Sequence, residues 1–190
     1  QMDEQIGRIL AALEASGEAD NTVIVFTSDH GLAIGSHGLM GKQNLYEHSM
    51  KAPLVITGPG LPQGESQALT YLFDLFPTLS ELAGLPIPES VEGKSLAPVI
   101  RGKGTAVRDS IFLAYRGIQR AVRGERWKLI EYAVKGVRSS QLFDLKNDPD
   151  ELKNLADSPE HSSVVQRLSG ELQRWQTQLD DPDAGNFTQP

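Results

Sequence analysis

TVIVFTSDHGLAIGSHGLMGK, residues 22–42, sets a continuous β-branched and aromatic run directly ahead of side chains that can grip a cation and an anion. The run at 22–27 has no polar alternation, which predicts a strand buried on both faces of a parallel sheet. In open α/β sheets ligands collect beyond the carboxyl ends of such strands, so the chemistry is sought at Ser28-Asp29-His30-Gly31. Asp29 offers an anionic oxygen and His30 an imidazole nitrogen, two donors for a divalent cation where Gly31 lets the backbone bend tightly. The same triplet also reads as a turn closed by its aspartate. Downstream, the glycine-rich loop at 35–42 carries Lys42 and His37, an ammonium and an imidazole able to converge on a bound oxyanion. Taken singly, Lys42 reads equally as a surface lysine and His37 as a loop histidine satisfied by a backbone carbonyl.

Working outward, Ile6, Ile9, Leu10 and Leu13 predict an amphipathic helix ending near Gly17. It begins without a cap, so more polypeptide is expected ahead of Gln1. A second strand is expected at 53–57, followed by the turn cluster GPGLPQG at 58–64. Asp74 is expected to cap a helix carrying Leu75, Leu79 and Leu82, with Pro77 in its first turn and Gly84 at its end. Beyond a loop at 86–104, strand formers occupy 111–115, 119–122, 127–132 and 141–145, with 123–126 as a hairpin turn. Val164, Val165, Leu168, Leu172, Trp175 and Leu179 then form the apolar stripe of a final helix suited to covering that sheet. The reading is an α/β part over 1–105 and an antiparallel part with its packing helix over 106–190, and no internal repeat is apparent.

With 190 residues, 39% of them apolar and 23% charged, the chain has room for one or two packed domains and lacks the bias of a disordered or fibrous protein. No apolar stretch approaches the roughly 18 residues of a membrane-spanning helix, and QMDEQIGRIL does not read as a signal peptide. The absence of cysteine excludes disulfides, thiolate ligands and thiol nucleophiles from these residues. A net charge of −7 argues against a dedicated nucleic-acid binder. The balance is uneven: residues 101–150 hold 11 basic and 6 acidic side chains, either a solvated sheet surface or a region that meets an anionic ligand.

SDHGLAIGSHGLMGKQNLYEHSMKAPLVITGPG, residues 28–60, resembles the second conserved block of the sulfatase family within the alkaline phosphatase superfamily. Asp74-Leu75-Phe76-Pro77-Thr78-Leu79 with Ala83-Gly84-Leu85 echoes another block. Leu142-Phe143-Asp144-Leu145, Asp148-Pro149, Glu151 and Asn154-Leu155-Ala156 echo a late signature. The resemblance implies an α/β domain with a central mixed sheet, here its C-terminal part, followed by a small antiparallel subdomain covered by a C-terminal helix. It further implies a divalent cation, usually calcium with magnesium as the alternative, that holds a sulfate ester. Asp29 and His30 match its ligand positions, and Lys42 matches the lysine that binds sulfate oxygens. His37 lies inside the similar loop without a fixed role. Tyr46, Glu47 and His48 either shape the pocket or pack behind it, and Arg116, Arg120 and Arg123 are candidates to meet anionic groups of the substrate.

Sulfatases of this kind use a formylglycine made from Cys or Ser in a [CS]-x-P-x-R motif, together with further metal aspartates near the N-terminus. Neither occurs here, and Asp180-Asp181 lies in the tail. The resemblance therefore implies part of a sulfuric ester hydrolase, inactive by itself, whose nucleophile belongs to an N-terminal portion of the same protein. The alternatives are a phosphate or phosphonate ester hydrolase of the superfamily, or a non-catalytic module whose sheet edge is covered by self-association. The expected partners are a sulfate ester and the N-terminal portion, with no nucleic acid and no membrane. The compartment stays open, family members often being exported.

Overall fold

Lys135 and Gly136, both with left-handed backbone (φ 51° and 78°), form a two-residue turn inside the stretch 133–140 that the sequence reading left between two strands. The computed structural model describes residues 1–187; the last three positions of the expected 106–190 part lie outside the described residues. In chain order it contains α1 (Met2–Ala15), β1 (Ile24–Thr27), α2 (Glu47–Met50), β2 (Leu54–Thr57), α3 (Leu75–Leu82) and α4 (Ala97–Ile100). There follow β3 (Ser110–Tyr115), β4 (Gln119–Gly124), β5 (Trp127–Val134), β6 (Val137–Asp144) and α5 (Ser162–Gln178). β6 starts four residues earlier than the strand expected at 141, because its polar first half pairs with β5 beyond the covered part of the sheet. α4 lies within the stretch expected to be loop.

Strands β3–β4–β5–β6 form one antiparallel sheet in sequence order, as expected. Side chains of successive strand residues point to opposite faces. Val122, Leu129 and Leu142 meet Leu168 and Leu172 of α5, while Ala121, Ile130 and Phe143 meet Leu45 and Tyr46 on the other side. The helix thus covers one face, and the segment directly after Lys42 covers the other. Burying an aliphatic or aromatic side chain of this size contributes about 1.5–3 kcal/mol, so both covers are stabilising. Leu179 sits past the end of α5 and is exposed, outside the stripe expected to include it.

The first half corrects two expectations. β1 pairs with β2 antiparallel, in the register Phe26↔Val55, and not as a parallel neighbour. A continuous apolar run records that both faces need cover but does not encode the direction of the adjacent strand. Phe26 and Val55, at 41% and 55% exposure, remain open to solvent, as do Phe73 and Phe76, and α1 buries none of its residues. Asp74, in turn, makes no side-chain cap on α3. Its buried carboxylate accepts the backbone N–H of Tyr71 (2.7 Å) and of Lys94 (2.8 Å), and both arms of Arg108 at 2.5 and 2.7 Å. Asp181 likewise is no loose tail residue: its carboxylate accepts Arg120 Nε and Nη2, each at 2.7 Å, in a pair almost wholly shielded from water. Among the described residues no helix is long and apolar enough to cross a membrane.

Hydrogen bonding from Arg120 holds the Asp181 carboxyl at about 2, below its ordinary 3.8. A depressed carboxylate stabilises the fold fully above its unfolded value and loses that contribution as pH falls toward the folded one. Denaturant unfolding of the chain is expected to lose about 2 kcal/mol through this pair between pH 4 and pH 2. Asp181→Asn should be less stable at pH 5, because it takes the two-point carboxylate from a buried guanidinium and leaves Asp183 as its one charged partner, and should show a flatter profile across that window. An unchanged profile in the variant would show that the pair contributes nothing.

Candidate functional site

The loop after β1 reverses on itself through left-handed backbone at Ile34, Gly35, His37 and Gly38 (φ 45°, 99°, 54° and 70°). Two rungs close it: Ala33 N–H donates to Gly41 O (3.1 Å) and Gly35 N–H to Leu39 O (2.7 Å). This doubling back returns Lys42 to the start of the loop. Gly31 N–H donates to Ser49 O at 2.9 Å, and a Cβ on Gly31 would lie 2.0 Å from the backbone oxygen of His48. Only glycine admits this approach, so the Asp29–His30 corner rests directly on the backbone of α2.

Asp29, His30 and Lys42 converge. Nδ1 of His30 is 2.8 Å from Gly31 O, which can only accept, so Nδ1 carries the proton and Nε2 presents a lone pair. Facing that lone pair are Asp29 Oδ2 at 3.0 Å and the Lys42 ammonium, which donates to Nε2. A neutral imidazole whose other nitrogen donates to a carbonyl is the form in which histidine ligates metals. Asp29 is 74% exposed and Lys42 is also open to solvent, so the cluster has an accessible side. Among the described residues no group of three or more His, Cys, Asp or Glu side chains is assembled for a metal. The chain offers two donors for a cation and one ammonium for an anion.

His37 stands apart from this cluster. Its Nε2 donates to Asp150 O (2.9 Å), and its ring stacks on Tyr46 at 4.1 Å with a 10° interplanar angle. No hydrogen bond or ion pair among the described residues joins it to Asp29, His30 or Lys42. Tyr46 packs in the core beneath the sheet and donates through Oη to Gln141 Oε1 (2.8 Å). The ring of His48 lies 5.4 Å from that of His37, and burial lowers the pKa of His48, with His37 and Lys128 adding to the effect.

The arginines considered for substrate contact are largely occupied within the chain. Arg120 is held by Asp181 and Asp183, and Arg123 lies 3.4 Å from Glu47 Oε2. Arg116 sits over its neighbour Tyr115 and accepts, through its carbonyl, a hydrogen bond from Arg120. Sequence reasoning also missed one residue behind the loop. Lys128 of β5 has a wholly buried side chain, with Nζ 3.1 Å from Glu47 Oε1 and 2.9 Å from Glu151 Oε1. Burial works against the charge of Glu47, but Lys128 and Arg123 outweigh it and hold its carboxyl below the usual range. The available signal was a single lysine on the inward side of the strand Trp127–Val134, two positions from core residue Ile130.

The family model described as N-sulphoglucosamine sulphohydrolase, C-terminal, matches residues 35–178, which include Lys42 and end at the last residue of α5. An N-acetylglucosamine-6-O-sulfatase of Bacteroides thetaiotaomicron is 33% identical over 195 aligned positions, covering 96% of this chain and 35% of that protein. A solved structure of a protein in complex with its substrate D-glucosamine-2-N,6-O-disulfate superposes with a TM-score of 0.86 at 32% identity, over 95% of this chain and 40% of the other. A phosphonate monoester hydrolase from Silicibacter pomeroyi gives 0.79 at 29% identity, over 93% and 38% respectively. The chain spans about a third of the length of the curated relatives it matches. A match of this extent, carried by the sheet, its covering helix and the loop that returns Lys42 to β1, has one explanation: the chain belongs to the sulfatase family of the alkaline phosphatase superfamily and corresponds to its C-terminal portion.

Proposed function

We propose that this chain is the C-terminal part of a sulfuric ester hydrolase acting on sulfate monoesters, with residues 1–105 completing an α/β catalytic domain and 106–190 forming its antiparallel subdomain. The observation that carries the reading is the convergence of Asp29, His30 and Lys42 at the carboxyl end of β1. Cleaving an S–O bond requires the non-bridging oxygens to be neutralised in a pocket held ready for them. Lys42 keeps its proton at Nζ and supplies one positive charge to those oxygens. Asp29 and His30 hold a divalent cation through Oδ2 and Nε2: the Nδ1–H bond to Gly31 O leaves a lone pair on Nε2, which Lys42 yields to the cation as its ammonium turns to the ester oxygens. Sulfatase kinship implies such a cation and a formylglycine nucleophile; when bound, the cation withdraws charge from the ester oxygens. Calcium is the ion we favour over magnesium, since the carboxylate is a hard donor and calcium accepts irregular sets of six to eight ligands. The remaining ligands and the nucleophile belong to the N-terminal portion, which also covers the exposed apolar side chains Phe26, Val55, Phe73 and Phe76. His37 serves this site by fastening the loop through Asp150 O.

Hydrolysis of a phosphonate or phosphate ester is the second reading. The similarity to a phosphonate monoester hydrolase favours it, and phosphoryl oxygens place the same demand on Lys42. A sulfate grip alone does not separate the two.

Two measurements test the proposal. Calorimetric titration of the 190-residue chain with calcium is expected to give a dissociation constant of about 1 mM or weaker, with no turnover of an aryl sulfate, because two ligands are too few. Micromolar binding would show the site to be whole and the division wrong. In the full-length protein an aryl or carbohydrate sulfate should turn over, and Lys42→Ala should lower kcat/KM by about 10²–10³-fold, the usual loss of one preorganised charge. Full activity in that variant removes Lys42 from the site, and preference for a phosphonate ester selects the second reading.

A further inference from the structure

We propose that Glu47, Lys128 and Glu151 are positioning residues, a buried charge cluster through which the antiparallel sheet sets the place of the Asp29–His30–Lys42 pocket. The inference rests on the assignment of that pocket made above. The cluster is balanced: Lys128 and Arg123 bring two positive charges, Glu47 and Glu151 two negative ones. Lys128 reaches from the centre of the sheet on the face that carries Ile130, the face covered by Leu45 and Tyr46. Its ammonium lies between the two carboxylates, and Glu151 Oε2 also accepts the backbone N–H of Glu47 at 2.6 Å. α2 is therefore held by both the side chain and the backbone of its first residue.

Two turnless steps connect this grip to the pocket. Ser49 O, two residues on from Glu47, accepts Gly31 N–H, and the His48 backbone oxygen occupies the space that a Gly31 side chain would need. Gly31 is bonded directly to His30. On the far side of the loop His37 donates to Asp150 O, the residue before Glu151, where the backbone adopts φ 56°. The turn at Asp150–Glu151 thus fixes the loop at His37 and fixes α2 at Glu47. Well-packed apolar residues commonly replace a buried ion pair without loss of stability, so stability does not account for placing four charges here. Direction does: Glu47 accepts from Lys128 Nζ and Glu151 Oε1 stands 2.9 Å from the same ammonium, so both carboxylates are referred to one point of the sheet, whereas an apolar contact tolerates sliding.

Hydrogen exchange by mass spectrometry on the full-length protein tests this, comparing residues 28–42 with residues 119–134. Glu47→Gln leaves the Lys128–Glu151 pair in place and is the variant of choice should Lys128→Met fail to fold. It is expected to speed exchange in 28–42 about tenfold, leave 119–134 unchanged, and lower kcat/KM for a sulfate ester about 10- to 100-fold, the range for groups that orient ligands. Lys128→Arg should recover most of what Lys128→Met loses. Unchanged exchange in 28–42, or equal acceleration in both segments of Glu47→Gln, overturns the proposal. Should 28–42 loosen in a protein that hydrolyses no sulfate ester, the functional reading fails while the positioning role stands. Turnover of the ester with 28–42 undisturbed sinks the positioning role alone.

Discussion

A four-stranded sheet with two apolar faces needs two covers, and α5 supplies only one. The other is Leu45 and Tyr46, three and four residues beyond Lys42. Hydrophobic burial of these two side chains obliges the loop that carries the candidate ligands to lie against the antiparallel sheet. The same requirement makes the two parts of the chain one structural unit despite their separate sheets. Position of the pocket therefore follows from ordinary core packing, refined by hydrogen bonds and ion pairs at the seam.

Electrostatics follow the same seam. The basic excess of residues 101–150 is spent largely on internal partners: Arg108 on Asp74, Arg120 on Asp181 and Asp183, Arg123 and Lys128 on Glu47, and Arg126 on Asp144. Several of these pairs are shielded from water, where an unpartnered charge is costly and a paired one is directional. A run that looks like a charged surface in one dimension is thus a set of tethers between distant segments. It holds α3, the tail after α5 and the candidate loop against the sheet.

Much of this was legible from residue patterns. Alternating and β-branched runs located all four strands of the antiparallel sheet, and the 3.6-residue stripe located α5, with Leu168 and Leu172 buried as their spacing implied. Asp29, His30 and Lys42 were identified by their place after a strand and by a family-like loop, and the structure brings all three together. Less was legible where the partner lies far along the chain. The direction of β2 relative to β1 leaves no mark on an apolar run, and Asp74 before a helix looks the same whether it caps that helix or binds Arg108. For His37 the sequence offered both a binding group and a histidine satisfied by a backbone carbonyl, but it could not name the carbonyl, which lies 113 residues away. Lys128 was missed because a lysine in a strand normally faces water.

The fastening of the loop is long-range in the chain: Glu47 N–H meets a carboxylate 104 residues later, and His37 meets a carbonyl 113 residues later. Such contacts carry a large loop-closure entropy and form late relative to local hairpins and helices. During synthesis the ligand-bearing loop leaves the ribosome long before the turn that anchors it. A nascent chain halted ahead of Asp150 would hold Asp29, His30 and Lys42 in its sequence without the turn that fastens their loop.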